Sequence, residues 1–129
     1  MNWLFTILCI NTAINRNCLN THDLQIWNTT GEINFKDYMN TCGKQCIGNN
    51  DCTVKCVQKE EGYTDECAKC FGNLGECTVK NCFSSCIGGD SPQCETCISN
   101  NCDGNFNDCS GLELPPPSIS KELISSKTL

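Results

Sequence analysis

Histidine is nearly absent from this chain, and positive charge is nowhere concentrated. His22 is the only histidine in 129 residues. It stands in a polar stretch and reads as a solvated side chain, not as a general base. Lys and Arg number 9 against 15 Asp and Glu, a net charge of -6, with no basic run anywhere. That leaves nothing to neutralise a phosphate backbone and excludes nucleic acid as a partner. Beyond the first ten residues no apolar segment is long enough to span a bilayer, and the C-terminal end lacks the hydrophobic tail of a lipid-anchor signal. The mature chain is therefore expected to be soluble, with no membrane insertion. No glycine loop is built to cradle a phosphate. The acids Glu60, Glu61, Asp65 and Glu66 flank Gly62, where acids at a helix start answer the macrodipole. These absences nominate no enzyme, no catalytic residue and no cofactor.

Large apolar residues are also few in the cysteine-dense region 34–111, where besides those near its start they are Val54, Val57, Phe71, Leu74, Val79, Phe83, Ile87, Ile98 and Phe106. Such a core is marginal against the entropy of ordering roughly eighty residues. Cysteine is what the chain has instead, 15 of 129 residues. In a secreted chain that density marks a disulfide scaffold. The compartment is argued from residues 1–10, MNWLFTILCI, which are too short to cross a bilayer and sit where a secretory leader has its apolar region. The expected signal peptide covers 1–13, although no Lys or Arg precedes the apolar run and Asn11 occupies the minus-three position. A buried N-terminal helix is the alternative. Cleavage after Ala13 removes Cys9 and leaves an even set, as a fully paired secreted chain requires. Asn28-Thr29-Thr30 is the only glycosylation sequon.

Four zones follow along the chain: the leader 1–13, a polar Asn-rich arm 14–33, a disulfide-stapled helical domain 34–111, and a disordered Pro/Ser-rich tail 112–129. In the arm, LQIWNTTGEINF admits a weak hairpin turning at Thr30-Gly31. In the helical domain Phe35, Tyr38, Met39, Cys42 and Cys46 share one helix face, with Asn34 as N-cap and Gly48 as stop. Val79, Cys82, Phe83, Cys86 and Ile87 repeat the pattern before Gly88-Gly89. Asp90 or Ser91 caps a further helix with Pro92 in its first turn. From there Cys94, Cys97, Ile98, Cys102, Phe106 and Cys109 continue an apolar stripe past Gly104.

A repeat runs through these segments. CGKQCIGNNDCTVKC (42–56), CAKCFGNLGECTVKNC (67–82) and CFSSCIGGDSPQCETC (82–97) share paired cysteines, an Ile or Phe, a glycine, a polar turn and a second cysteine pair. The expected fold is all-α, a short stack of αα-hairpins cross-linked by disulfides around a small core. Cysteines at i and i+4 face the same neighbour. Folding two such helices through a short turn pairs inner with inner and outer with outer: Cys46 with Cys52, Cys42 with Cys56. The third copy pairs Cys86 with Cys94 and Cys82 with Cys97 by the same rule. A nested second copy also claims Cys82, so the two assignments compete, and Cys18, Cys67, Cys70, Cys77, Cys102 and Cys109 are left without a specified partner. Cys67-x2-Cys70 with Cys94-x2-Cys97 matches a four-cysteine zinc site, but the surplus of other thiols and the leader favour disulfides over metal. Neither CAKC nor CETC lies in the βαβ setting of a redox motif.

At CIG, CFG, CIG and the closing CETCISNNCDGNFNDCSGL, residues 42–112 resemble cysteine-rich secreted proteins of protists, in which C-x2-C-x4-C runs ending in F-x2-CSG recur. The resemblance implies a secreted helical scaffold with no established activity. The Asn richness is compatible with an AT-rich protist genome, and ciliate mating pheromones offer a loose analogy as small helical disulfide proteins. The expected function is binding, as a monomeric cell-surface or intercellular ligand recognised by a protein receptor through the exposed turns GNND, GNLG and GGDSP. The alternative is a structural component of an extracellular coat or secretory granule.

Overall fold

The computed structural model describes residues 16–114. The leader at 1–13 and most of the tail lie outside them. The described chain is all-α and contains no strand: α1 Thr21–Ile26, a π-helical turn Trp27–Gly31, α2 Phe35–Cys46, α3 Asn50–Glu61, α4 Asp65–Cys86, α5 Pro92–Asn101 and α6 Asp103–Ser110. Side-chain caps begin four of these helices. Asn20, Asn49, Thr64 and Ser91 accept from the backbone N–H of Asp23, Cys52, Cys67 and Cys94 respectively. Each satisfies an amide that has no partner within its helix. The third residue past the cap is in every case one that anchors the fold, three cysteines and one buried aspartate. Asn34 makes no such cap. Helix α2 instead follows a continuous turn in which the Phe35 and Tyr38 amides donate to the carbonyls of Glu32 and Asn34.

The longest helix, α4, is the spine. Its residues Cys67, Cys70, Cys77, Cys82 and Cys86 each carry a disulfide to another segment. Phe71, fully buried in its second turn, stacks on Tyr63 at 4.7 Å and meets Phe106 edge-on at 4.9 Å. Phe35 and Tyr38 of α2 close the cluster at 6.1 and 6.2 Å.

Several expectations need correction. The second repeat copy is not a hairpin, because GNLG stays inside α4. A Cβ on Gly72 would stand 2.5 Å from Asn50 Oδ1 and 2.7 Å from Val54 Cγ2, and one on Gly75 would stand 3.2 Å from Thr53 Oγ1. The two glycines cost roughly 1 kcal/mol each in helix propensity, and the close seating of α3 on α4 that they permit offsets it. Only at Cys82, with φ −129° and ψ 18°, does α4 kink.

Over its described residues 16–33 the polar Asn-rich arm is part of the helical fold and not a zone apart from it. Asn17 and Cys18 amides donate to the Cys109 and Ser110 carbonyls, and Trp27 is buried. No hairpin forms at Thr30-Gly31, which belongs to the π-helical turn. Asp23, fully buried, accepts from the Thr64 N–H at 2.9 Å and the Thr64 hydroxyl at 2.6 Å, tying α1 to the start of α4. The tail 112–129, in turn, begins inside the fold: Leu112 is buried and Leu114 packs against the core. The stripe from Cys94 to Cys109 is also broken, at Cys102, where α5 ends and α6 begins.

Candidate functional site

Fourteen cysteines lie in the described residues, and seven disulfides use all of them. Cys42–Cys56 and Cys46–Cys52 staple α2 to α3, with Cα separations of 5.7 and 5.4 Å. Cys82–Cys97 and Cys86–Cys94 staple the end of α4 to α5. These are the four pairs that the i, i+4 spacing points to, and Cys82 goes to the third copy. The remaining bonds are Cys18–Cys67, Cys70–Cys109 and Cys77–Cys102. Cys67, Cys70, Cys94 and Cys97, the candidate zinc set, thus sit in four different disulfides. Among the described residues no group of three or more His, Cys, Asp and Glu is arranged to hold a metal ion. His22 is exposed, with Nε2 2.9 Å from the Gly62 carbonyl oxygen, and Asn28 is exposed on the π-helical turn.

Where the two stapled hairpins face each other, an apolar groove of about 460 Å³ opens. Its floor comes from Phe35 and Met39 on α2, Leu74 and Val79 on α4, and Ile98 on α5. The hairpin turns form its lips, and both carry the sequence C-I-G. Gly48, at φ +80°, brings the first turn so close to α4 that a Cβ would lie 2.8 Å from Val79 Cβ. Gly89, at φ +101°, brings the second turn towards Asn40 and Lys44 of α2. Each turn glycine thereby approaches the other hairpin's helix. The residues that follow Cys46 and Cys86 are left in solvent: Ile47 is 64 % exposed and Ile87 70 %, with Phe83 beside them at 47 %. The corresponding residue of the middle copy, Phe71, is fully buried.

Ile47 is strained as well as exposed. It closes α2 in the left-handed region at φ 45° and ψ 57°, the only non-glycine with positive φ among the described residues. A β-branched residue in that conformation is a steric outlier and costs on the order of 1–3 kcal/mol. The helix stop expected at Gly48 therefore falls one residue earlier, on a side chain that buries little in return.

Charge surrounds this apolar surface. The Lys36 ammonium donates to Glu95 at 2.6 Å, bridging α2 and α5. Asp90, on the second turn, has its carboxyl held above the usual range by burial and then by the neighbouring Glu95. Asp103 lines the groove from the first turn of α6. A helix start favours an ionised acid, yet burial raises the Asp103 carboxyl, and its Oδ1 is enclosed without a hydrogen-bond partner. The groove thus offers apolar contact edged by the carboxyl groups of Asp90, Glu95 and Asp103 and the ammonium groups of Lys36 and Lys44.

The turns nominated for recognition fare unequally. GGDSP forms the second lip, GNND spans the first turn and the start of α3, and GNLG lies within α4 with Gly72 and Gly75 against α3. The exposed isoleucines were marked in sequence only by the repeated C-I-G. No protein-family model, curated protein sequence or solved structure matches this chain.

Proposed function

We propose that this protein is a secreted, monomeric binding protein, a cell-surface or intercellular ligand whose recognition surface is the groove between the two stapled hairpins. The observation that carries this reading is the exposure of Ile47, Phe83 and Ile87 together on the lips of one groove. Contiguous exposed apolar surface edged by polar residues marks interaction sites. Four disulfides hold the lips, so the surface is formed in advance and loses little freedom on binding. The cysteine density and the apolar stretch at 1–10 support secretion, in keeping with the protist proteins that the motifs resemble. Asn28, exposed and away from the groove lining, carries the glycan in this reading.

The test is saturable binding of labelled, fully oxidised protein to cells of the source organism. Ile47→Asn and Ile87→Asp should each weaken binding at least about tenfold, a loss of roughly 1.4 kcal/mol, with circular dichroism unchanged. Asn tolerates the left-handed backbone at position 47, so that variant keeps the fold. Unaltered binding by both variants would overturn the assignment of the surface. Concentration-dependent self-association at micromolar levels in sedimentation would favour the coat or granule component instead.

A further inference from the structure

We propose that the chain's own tail, residues 115–129, lies in the groove and covers Ile47 and Ile87 until a receptor displaces it. This inference rests on the binding reading above and adds its regulation. Leu114 is the observation that carries it. It is the last residue the structure describes, and it both packs against the core and lines the groove. Before it Leu112 is buried and Glu113 exposed, so the chain leaves α6 laid along the fold with alternate side chains turned inwards. The tail therefore starts inside the groove, not beside it.

Reach and composition agree with this placement. Phe35 and Ile47, at opposite ends of α2, both line the groove and stand about 18 Å apart at the rise of an α-helix. The stretch from Leu114 to Leu123 extends to about 30 Å, so the lips are within reach from any point of the groove. Pro115, Pro116 and Pro117 stiffen the first step, and Ile119, Leu123 and Ile124 supply apolar side chains for an apolar lining. Charge neither selects nor blocks this occupant. The lining carries Asp90, Glu95 and Asp103 with Lys36 and Lys44, and the tail carries Lys121 and Lys127 with Glu122. Tethering selects it. A segment joined directly to its site meets that site at an effective concentration of about a millimolar, which any untethered partner must overcome.

The experiment uses the full oxidised chain, isotopically labelled at its methyl groups for nuclear magnetic resonance. Nuclear Overhauser contacts should join Ile119, Leu123 or Ile124 to Ile47 or Ile87. A tail variant, Ile119→Ser with Leu123→Ser and Ile124→Ser, should lose them with circular dichroism unchanged. It should also bind cells about tenfold more tightly, since a surface open about a tenth of the time shows about a tenth of its intrinsic affinity. Absence of the contacts in the unaltered chain would overturn the proposal, and cell binding that still depended on Ile47 would then leave the binding reading standing. Contacts that appear only as protein concentration rises would also overturn it, because they would belong to the tail of a second copy. Weaker or unchanged cell binding by the tail variant, where Ile47→Asn does weaken it, would mean that the tail does not cover the surface. Contacts as expected, in a chain whose cell binding responds neither to the tail variant nor to Ile47→Asn, would leave the tail docked and overturn the binding reading instead.

Discussion

The α2–α3 hairpin and the hairpin of α4's end with α5 are stapled alike and anchored differently. Their outer bonds, Cys42–Cys56 and Cys82–Cys97, span 14 and 15 residues, and their inner bonds, Cys46–Cys52 and Cys86–Cys94, span 6 and 8. The second hairpin shares α4 with the rest of the fold and is tied to it again by Cys77–Cys102. The first has no disulfide to any other element. Non-covalent contacts hold it: Phe35 and Tyr38 pack on Phe71, Val54 and Thr53 lie over Gly72 and Gly75, Lys36 pairs with Glu95 of α5, and Asn50 donates to Asn73 of α4. A local cross-link therefore makes a hairpin, but it does not dock one. Because the groove lies between the two, its shape depends on the non-covalent side.

The largest expected effect comes from removing that packing. Phe71→Ala should cost about 3–5 kcal/mol in denaturant unfolding. Hydrogen exchange should show α2 and α3 amides losing protection before those of α5. Equal loss in both hairpins would mean that they do not differ in anchoring.

Removing the inner staples comes next. Cys46→Ala with Cys52→Ala, and Cys86→Ala with Cys94→Ala, should each cost roughly 2–3 kcal/mol by loop closure. Peptide mapping should find the outer bonds intact in both variants. Replacing Cys46 alone should free Cys52 and yield scrambled pairs.

A smaller effect tests the glycine seating. Gly72→Ala gains about 1 kcal/mol in helix propensity but drives a methyl group into Asn50 and Val54. Overpacking of this kind costs about 1–3 kcal/mol, so a net loss near 1 kcal/mol is expected in thermal unfolding. Gly88→Ala, with nothing within 4 Å of the added carbon, should leave the second hairpin's stability unchanged.

The smallest effect is a pH dependence at Asp103, whose carboxyl is raised by burial. The folded protein keeps this proton at pH values where the unfolded chain has lost it. Its contribution to stability is therefore present at low pH and lost as pH rises through the folded value. Asp103→Asn should unfold at a slightly higher temperature than wild type at neutral pH, and the difference should shrink towards zero at about pH 3, below the carboxylate range. A difference independent of pH would place the effect elsewhere than in ionisation.

Legibility in the sequence followed the range of each interaction. The buried face of α2, with Tyr38, Cys42 and Cys46, was visible as a helical period, and Ser91-Pro92 as a helix start. Asp23 was not visible, because an acid in a polar stretch looks solvated until Thr64 arrives to donate two hydrogen bonds. The Tyr38 and Tyr63 hydroxyls, 3.1 Å apart in the core, were equally hidden. The groove was half legible. C-I-G stood out as a repeated motif, whereas the exposure of Ile47 and Ile87 required knowing what lies opposite each turn.

By itself the sequence determined the bonds Cys46–Cys52 and Cys42–Cys56, since helix geometry puts i and i+4 on one face and a short turn brings two such faces together, whereas the two repeat copies that claimed Cys82 were separated only by the fold, which gives it to Cys97. Only the tertiary structure decided the bonds spanning 25, 39 and 49 residues, and only it decided that GNLG is helix while the glycines of both C-I-G segments are turn. The same residue types, glycine beside a polar side chain, serve either state. At Gly72 and Gly75 the contact of α3 tips the balance towards helix, and at Gly48, and at Gly89 just past the second C-I-G, the positive φ that the turn requires is open to glycine at no steric cost.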